Sequence, residues 1–495
     1  MFLGIDVGTQ SVKALIYDPD SRRVAEIVSA PLNLISKADG TREQLAQWWL
    51  EALGQCLLGL SNTHKSGIEA IGVSGQQHGF VPLGAEGQVL APVKLWCDTA
   101  TLAECEQITA NFGGRERCIS EVGNPILPGY TAPKVRWLKN HRPDEYAQLA
   151  TILLPHDYVN YYLTGERTME CGDASGTGML DVRQRQWHAE MLHAIDADRD
   201  LSSTLPSLAQ PDTAIGQLRA DVALELGLPK GIPVACGGGD NMMAAIGTGN
   251  VDAGRMTVSL GTSGTLFAST AEPIVDPQGD LAAFCSSTGG WLPLLCTMNC
   301  TVSTELTRQL FQVGLETFER CVDEVPPGSN GVMTVPFFNG ERSPNLPQGK
   351  ACLLGLDDTN YTQNNLLRSA MEAATYGLRT GLDVFRQQGC GIDKLRVTGG
   401  GASSGAWRQI LADVFDLPVE VQTIDEGAAL GAALQAMWLV QGQRGGADSL
   451  QALLDDHLEL DPTRACVPKK ESVQAYDQHY RNYLRHVEVV TPLYA

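Results

Sequence analysis

A chain of 495 residues is too long for one hydrophobic core and predicts two large domains. Its composition, 43% hydrophobic and 19% charged, is that of a soluble globular protein. A net charge of -21 offers no basic field to a nucleic-acid backbone or an anionic membrane, so neither is an expected partner. A nucleotide remains possible as a ligand, because backbone amides and a metal neutralise phosphates locally.

The chain opens directly on an apolar run, Phe2 to Ile5, so no signal peptide is expected. The 13 cysteines are odd in number and contain no Cys-x-x-Cys pair, which predicts reduced thiols in a cytoplasm, with no disulfide framework and no structural zinc. Strands are expected at Phe2–Asp6, Val12–Tyr17, Ala70–Ser74 and Ile232–Cys236, with helices at Arg42–Leu58 and Leu102–Asn111. Asp212–Leu228 reads as a helix-bearing surface segment. The second half opens near Val251, with strands expected at Gly331–Phe338 and Leu395–Thr398 and a long helix over Tyr361–Gln388. Ala428–Val440 carries Gln435 and is too short to span a bilayer, so it reads as a buried helix. Residues 441–446 look like a linker, and Glu471–Val487 an amphipathic helix whose Tyr476, Tyr480 and Tyr483 serve packing.

One phrase occurs twice. Asp6-Val7-Gly8-Thr9-Gln10 and Ser259-Leu260-Gly261-Thr262-Ser263 each follow an apolar strand and lead into another. A repeated Gly-Thr hairpin predicts two related domains facing each other across one nucleotide, the tight turns offering N–H and hydroxyl groups to phosphate oxygens. The copies differ at one position, Asp6 against Ser259. A buried carboxylate needs a partner, and Asp6 could hold Mg²⁺ through water. Lys13 is either a solvated strand residue or a phosphate contact.

Three further clusters carry chemistry. Gly237-Gly238-Gly239-Asp240-Asn241 follows a strand and places Asp240 at a helix start. As a cap Asp240 would not need three glycines; as a general base it would take the proton of a hydroxyl attacking a γ-phosphate. Thr398-Gly399-Gly400-Gly401-Ala402-Ser403-Ser404 lacks the dinucleotide fingerprint and could pack flat against adenine and ribose. Ser74-Gly75-Gln76-Gln77-His78-Gly79 groups two amides and an imidazole suited to a polyhydroxylated ligand, to which Trp96 could add a stacking face and Asp98 an acceptor.

With these pieces in order, the chain resembles the FGGY family of carbohydrate kinases, within the actin-like ATPase superfamily, from residue 2 to about 436. Gly129-Tyr130-Thr131-Ala132-Pro133-Lys134-Val135-Arg136-Trp137-Leu138 matches the family's first signature. Ala351 to Leu356, Asn365-Leu366 and Ser369 to Glu372 match its second. The resemblance implies an α/β fold of two actin-like (ribonuclease H-like) domains flanking a central cleft, divided as 1–248, 249–440 and a C-terminal extension 441–495. It implies ATP and Mg²⁺, and a ketopentose acceptor, D-xylulose, with another ketose or polyol as the alternative. Asp240 would be the catalytic base, and Gln77, His78, Trp96, Asp98, Asp240 and Asn241 would bind the sugar. Gly8, Thr9, Gln10, Gly261, Thr262, Ser263, Gly400, Gly401 and Ser404 would bind the nucleotide, and Asp6 and Asp240 the metal. Gln77 and Cys97 depart from relatives that have Met and Asn there, so substrate identity is less firmly implied than reaction type. Assembly as a homodimer is compatible with this reading. An actin-like ATPase machine would share the hairpins but has no need of Asp240 joined to a Gln77–His78 pocket.

Overall fold

The computed structural model describes residues 1–445 and 449–494. Its principal strands, in chain order, are β1 (Phe2–Val7), β2 (Ser11–Asp18), β3 (Arg23–Pro31), β4 (Ala70–Gly75), β5 (Ala214–Gln217), β6 (Pro233–Ala235) and β7 (Gly238–Gly239). They continue with β8 (Gly254–Leu260), β9 (Gly264–Ala268), β10 (Leu294–Thr297), β11 (Ile392–Thr398) and β12 (Val419–Glu420). The helices that matter for the site are α1 (Ala46–Gly59), α2 (Thr131–His141), α3 (Pro155–Thr164), α4 (Asp240–Gly247) and α5 (Thr301–Leu310). After them come α6 (Gln363–Gln387), α7 (Gly405–Phe415), α8 (Gly427–Gln443) and α9 (Lys470–Val490).

The chain forms two compact units. One comprises Met1–Val251, Thr270–Pro293 and Glu426–Leu458, and the other Asp252–Ser269, Leu294–Asp425 and Glu459–Ala495. The first is built on a sheet with spatial order β5–β6–β4–β1–β2–β3, β7 also pairing with β4. Within it β3, β2 and β1 run as an antiparallel meander, and β4 and β6 add in parallel. The second unit has the order β10–β9–β8–β11–β12, with an antiparallel meander followed by two parallel strands. The doubled phrase therefore marks a doubled sheet: β1/β2 corresponds to β8/β9, and β4 to β11.

Helix α8 packs into the first unit although it lies late in the sequence. A Cβ on Gly4 of β1 would stand 1.9 Å from the Ala429 carbonyl oxygen, and one on Gly72 of β4 2.0 Å from that of Ala432. Helix backbone thus rests directly on sheet backbone, which only glycine allows. The expected strands are present within a residue or two at each end, except that Gly331–Phe338 shortens to Met333–Val335 and Leu395–Thr398 begins earlier, at Ile392. Arg42–Gln44, expected as helix, instead pairs as a strand with Ile35–Ser36 and Val93–Lys94, and helix begins at Ala46. The segment read as a linker continues α8 to Gln443, and residue 446 lies outside the described residues.

The tyrosine row of α9 packs as expected. Tyr476, Tyr480 and Tyr483 surround Tyr376 of α6 with ring centroids 5.4–6.2 Å away, and the Tyr476 hydroxyl donates to Glu372. No helix among the described residues is long and apolar enough to cross a membrane, and the cysteines form no disulfide.

Candidate active site

At the end of β1, Asp6 lies opposite Lys13 on β2 and Ser74 on β4. The Ser74 hydroxyl donates to Asp6 Oδ1 at 2.8 Å. Burial raises the Asp6 carboxyl above its ordinary range, opposed by that hydrogen bond and by Lys13. Lys13 reaches across to Glu426, just before α8, at 2.8 Å. It is neither simply solvated nor committed to a ligand.

The following turn is held by amides from distant sequence. Thr9 Oγ1 donates to Gln76 Oε1 at 3.0 Å, and Gln76 Nε2 donates to the Gly8 carbonyl and to Gln44 Oε1. Gln44 Nε2 donates to the Thr9 carbonyl at 2.8 Å, and the Trp49 indole to Gln44 Oε1. Gln44 and Gln76 are fully buried, so these bonds satisfy polar groups that could not otherwise leave water. Gln76, read in the sequence as one of two amides suited to a polyhydroxylated ligand, here supports the hairpin. Trp96 donates its indole N–H to Thr9 Oγ1 at 3.0 Å, and Gln10 is exposed.

Asp98 takes a different place from the one expected. It is fully buried, its Oδ2 accepts from the Arg42 amide and Lys94 Nζ, and its Oδ1 accepts from the Ala100 amide. Buried, with both oxygens accepting hydrogen bonds from the protein, it serves here as a structural acceptor.

Asp240 is the first residue of α4, and the N-cap is Gly239, so it does not cap its own helix. The strand β7 before it pairs with Ser74–Gly75, which carries Asp240 to the same sheet end as Asp6. Asp240 Oδ1 accepts from the Asn241 amide at 2.8 Å and from Asn241 Nδ2 at 3.0 Å. Burial, then the negative charges of Asp6 and Asp173, push its carboxyl up to about 7. Asn241 Nδ2 also donates to Gln77 Oε1 at 2.9 Å, linking the Asp240 carboxyl to the Gln77–His78 loop. Behind the loop, Gln435 of α8 accepts from the Gly237 amide at 2.9 Å and donates back to the Gly237 carbonyl. A buried amide in the apolar body of that helix thus supports the strand end before Asp240.

In the second unit the hairpin is held by backbone. The Cys300 and Thr301 amides, at the start of α5, donate to the carbonyls of Thr262 and Gly261 at 3.1 and 3.0 Å. Thr262 is exposed, and Gly261 and Ser263 half-buried. Gly399, after β11, has φ +85° and lies against the Leu260 backbone, where a Cβ would meet the carbonyl oxygen at 2.9 Å. Gly400 faces open space. Ser404 is a cap: its Oγ accepts from the Trp407 amide of α7 at 3.0 Å and donates to Glu319 at 2.6 Å. Its hydroxyl proton is thereby committed to Glu319.

The residues Gln44, Ser74, Lys134, Asp173 and Gln435 were not read as part of the site. Only Gln435 carried a local signal, a lone amide in an apolar run; the others act through partners dozens of residues away.

Geometry and sequence agree on the class. The model of the FGGY family of carbohydrate kinases, N-terminal domain, matches residues 1–247, and that of its C-terminal domain residues 256–440. The chain belongs to this family and is a carbohydrate kinase. It is 42% identical to a xylulose kinase from Haemophilus influenzae over 98% of this chain and 99% of that protein. It is 36% identical to one from Streptomyces rubiginosus over 90% of this chain and 89% of that one. Among solved structures, a xyloylose kinase from Brucella ovis superposes with a TM-score of 0.90 at 29% identity, covering 99% of each chain.

Proposed function

We propose that this carbohydrate kinase transfers the γ-phosphoryl group of ATP to the terminal hydroxyl of D-xylulose, giving D-xylulose 5-phosphate and ADP. The observation that carries the reading is Asp240: a half-buried carboxyl at a helix start, pushed up to about 7, that accepts hydrogen bonds from the Asn241 amide and side chain. A base poised near neutral pH accepts the hydroxyl proton as the sugar oxygen bonds to phosphorus and the bond to the β-phosphate oxygen breaks, its electron pair leaving with ADP. His78, Asn241 and Gln77 are the sugar contacts in this reading. Gly8 and Thr9 in one unit, and Thr262 with Gly400–Gly401 in the other, are the nucleotide contacts. The choice of D-xylulose is supported by the relatives' names and by their coverage of the chain.

The donor set suits Mg²⁺. No group of three His, Cys, Asp or Glu able to hold a metal occurs among the described residues, so a closed protein site is not offered. Asp6 and Asp240 instead present two carboxyls that burial raises, Asp240 further by the charge of Asp6, and an ion keeping water and phosphate oxygens as its other ligands fits one or two such donors. Bound there, it supplies neutralisation of phosphate charge.

A coupled assay of ADP release with D-xylulose, D-ribulose, L-ribulose, glycerol and gluconate tests the assignment. The highest kcat/KM should fall to D-xylulose; a clear preference for any other acceptor overturns it.

A further inference from the structure

We propose that Lys134 and Thr131 are positioning residues for the sugar: together they hold the carbonyl of His78 and so fix that residue in a left-handed backbone conformation. The inference rests on the reading of His78 as a sugar contact. His78 has φ +62°, a region that a non-glycine residue rarely occupies and keeps only where its surroundings dictate it.

The surroundings do so from both sides of the residue. The His78 amide donates to Asp173 Oδ1 at 3.2 Å. Its carbonyl oxygen accepts from Thr131 Oγ1 at 3.1 Å and from Lys134 Nζ at 2.8 Å. Its ring lies between Tyr130 and Phe284, each centroid 5.3 Å away, with Nδ1 3.3 Å from Asp173 Oδ1. The ring also rests on Gly176, where a Cβ would fall 1.8 Å from Cε1. Asp173 is tied in turn to His156 Nδ1 at 3.2 Å, and His156 Nε2 stands 2.9 Å from Asp157, all of them buried.

Lys134 is the unusual member. It is fully buried in the first turns of α2, and its second hydrogen bond goes to the Gly129 carbonyl at 2.7 Å. Both bonds end on backbone carbonyls, and burial pushes the ammonium down to about 7. Enclosing an ammonium is unfavourable, and a methionine would fill the same volume without that penalty. What methionine could not do is hold two carbonyls, one of them that of the left-handed residue. Thr131, one helical turn away on α2, holds the same oxygen.

Steady-state kinetics on the full chain test this, with D-xylulose and ATP varied separately. Lys134→Met should raise the KM for D-xylulose about tenfold, with the KM for ATP within about twofold and kcat within about threefold. Thr131→Val, which leaves the lysine in place, should raise the sugar KM about threefold. Glycine takes φ +62° without strain, so in a His78→Gly background either substitution should add less than about twofold. An unchanged sugar KM in Lys134→Met, a uniform loss of both KM values and kcat, or an equal effect in the His78→Gly background overturns the proposal. If Lys134→Met does not fold, Thr131→Val and its cycle with His78→Gly decide alone. A His78→Gly enzyme with normal sugar KM would instead remove the underlying reading of His78, whatever Lys134→Met does.

Discussion

The two Gly-Thr hairpins share a backbone plan and differ in almost everything attached to it. In both, an antiparallel pair turns beside a parallel strand, so Asp6 lies level with Ser74 and Ser259 level with Thr398. The first turn places residues 8–11 between its last paired positions, the second residues 261–263. The first is braced by buried glutamines and tryptophans, the second by the amides that open α5. Both carboxyls with raised pKa at these strand ends, Asp6 and Asp240, belong to the first unit. The fold was duplicated; both carboxyls proposed for acid–base and metal chemistry lie in one copy.

The largest test of that asymmetry is Asp240→Asn, which should lower kcat by about 10³ while leaving nucleotide affinity, measured by calorimetry, close to that of the native chain. Turnover near normal would remove the base from the first unit. The native enzyme should lose kcat/KM as pH falls through about 7, because the carboxyl must be ionised to accept a proton. Stability has the opposite sign. A carboxyl raised above its unfolded value of about 4 makes folding less favourable as pH rises from there to about 7. Asp240→Asn should therefore melt higher than the native chain at pH 8, with the advantage shrinking by pH 5.

Next in size, Asp6→Asn should reduce kcat about 100-fold and raise the Mg²⁺ concentration needed for half-maximal rate, whereas Ser259→Ala should stay within about threefold. Equal losses at the two positions would show that the difference between the hairpins is incidental. Gln76→Leu should destabilise by about 1–3 kcal/mol, read as a lower melting temperature, since Thr9, Gly8 and Gln44 lose a buried partner. The smallest effects belong to Gly8→Ala and Gly261→Ala, where the new methyl would stand 3.2 Å from a turn carbonyl in both copies. Each should cost about 1 kcal/mol in chemical denaturation, and a gap between them larger than that would mean the turns are less alike than their backbones.

Much of this was legible beforehand because it is local. Alternating apolar runs with tight glycine turns specify strands and hairpins over a few residues, and a Gly-Gly-Gly-Asp run at a strand end specifies a carboxyl at a helix start. The partners of Asp98 and Ser404 were not legible for the opposite reason. Whether an acid or a hydroxyl faces a ligand depends on which donors already occupy it, and those of Asp98 come from residues 42, 94 and 100. Gln44 and Gln76 brace a turn 35 and 67 residues away in the chain, separations that leave no periodicity to read.

By itself, then, the sequence determined the duplicated hairpin, the family and the identity of the acids, since each follows from residue order over short windows or from long signatures. Only the tertiary structure decided how those acids are held and tuned. Burial of Asp6 and Asp240 at one sheet end raises their carboxyls, and α8, nearly two hundred residues beyond Asp240, supplies the Gln435 that supports its strand. The left-handed His78 likewise depends on Thr131, Lys134 and Asp173 converging on one peptide. Desolvation and shared hydrogen bonds arise from three-dimensional proximity, and no short window of sequence contains them.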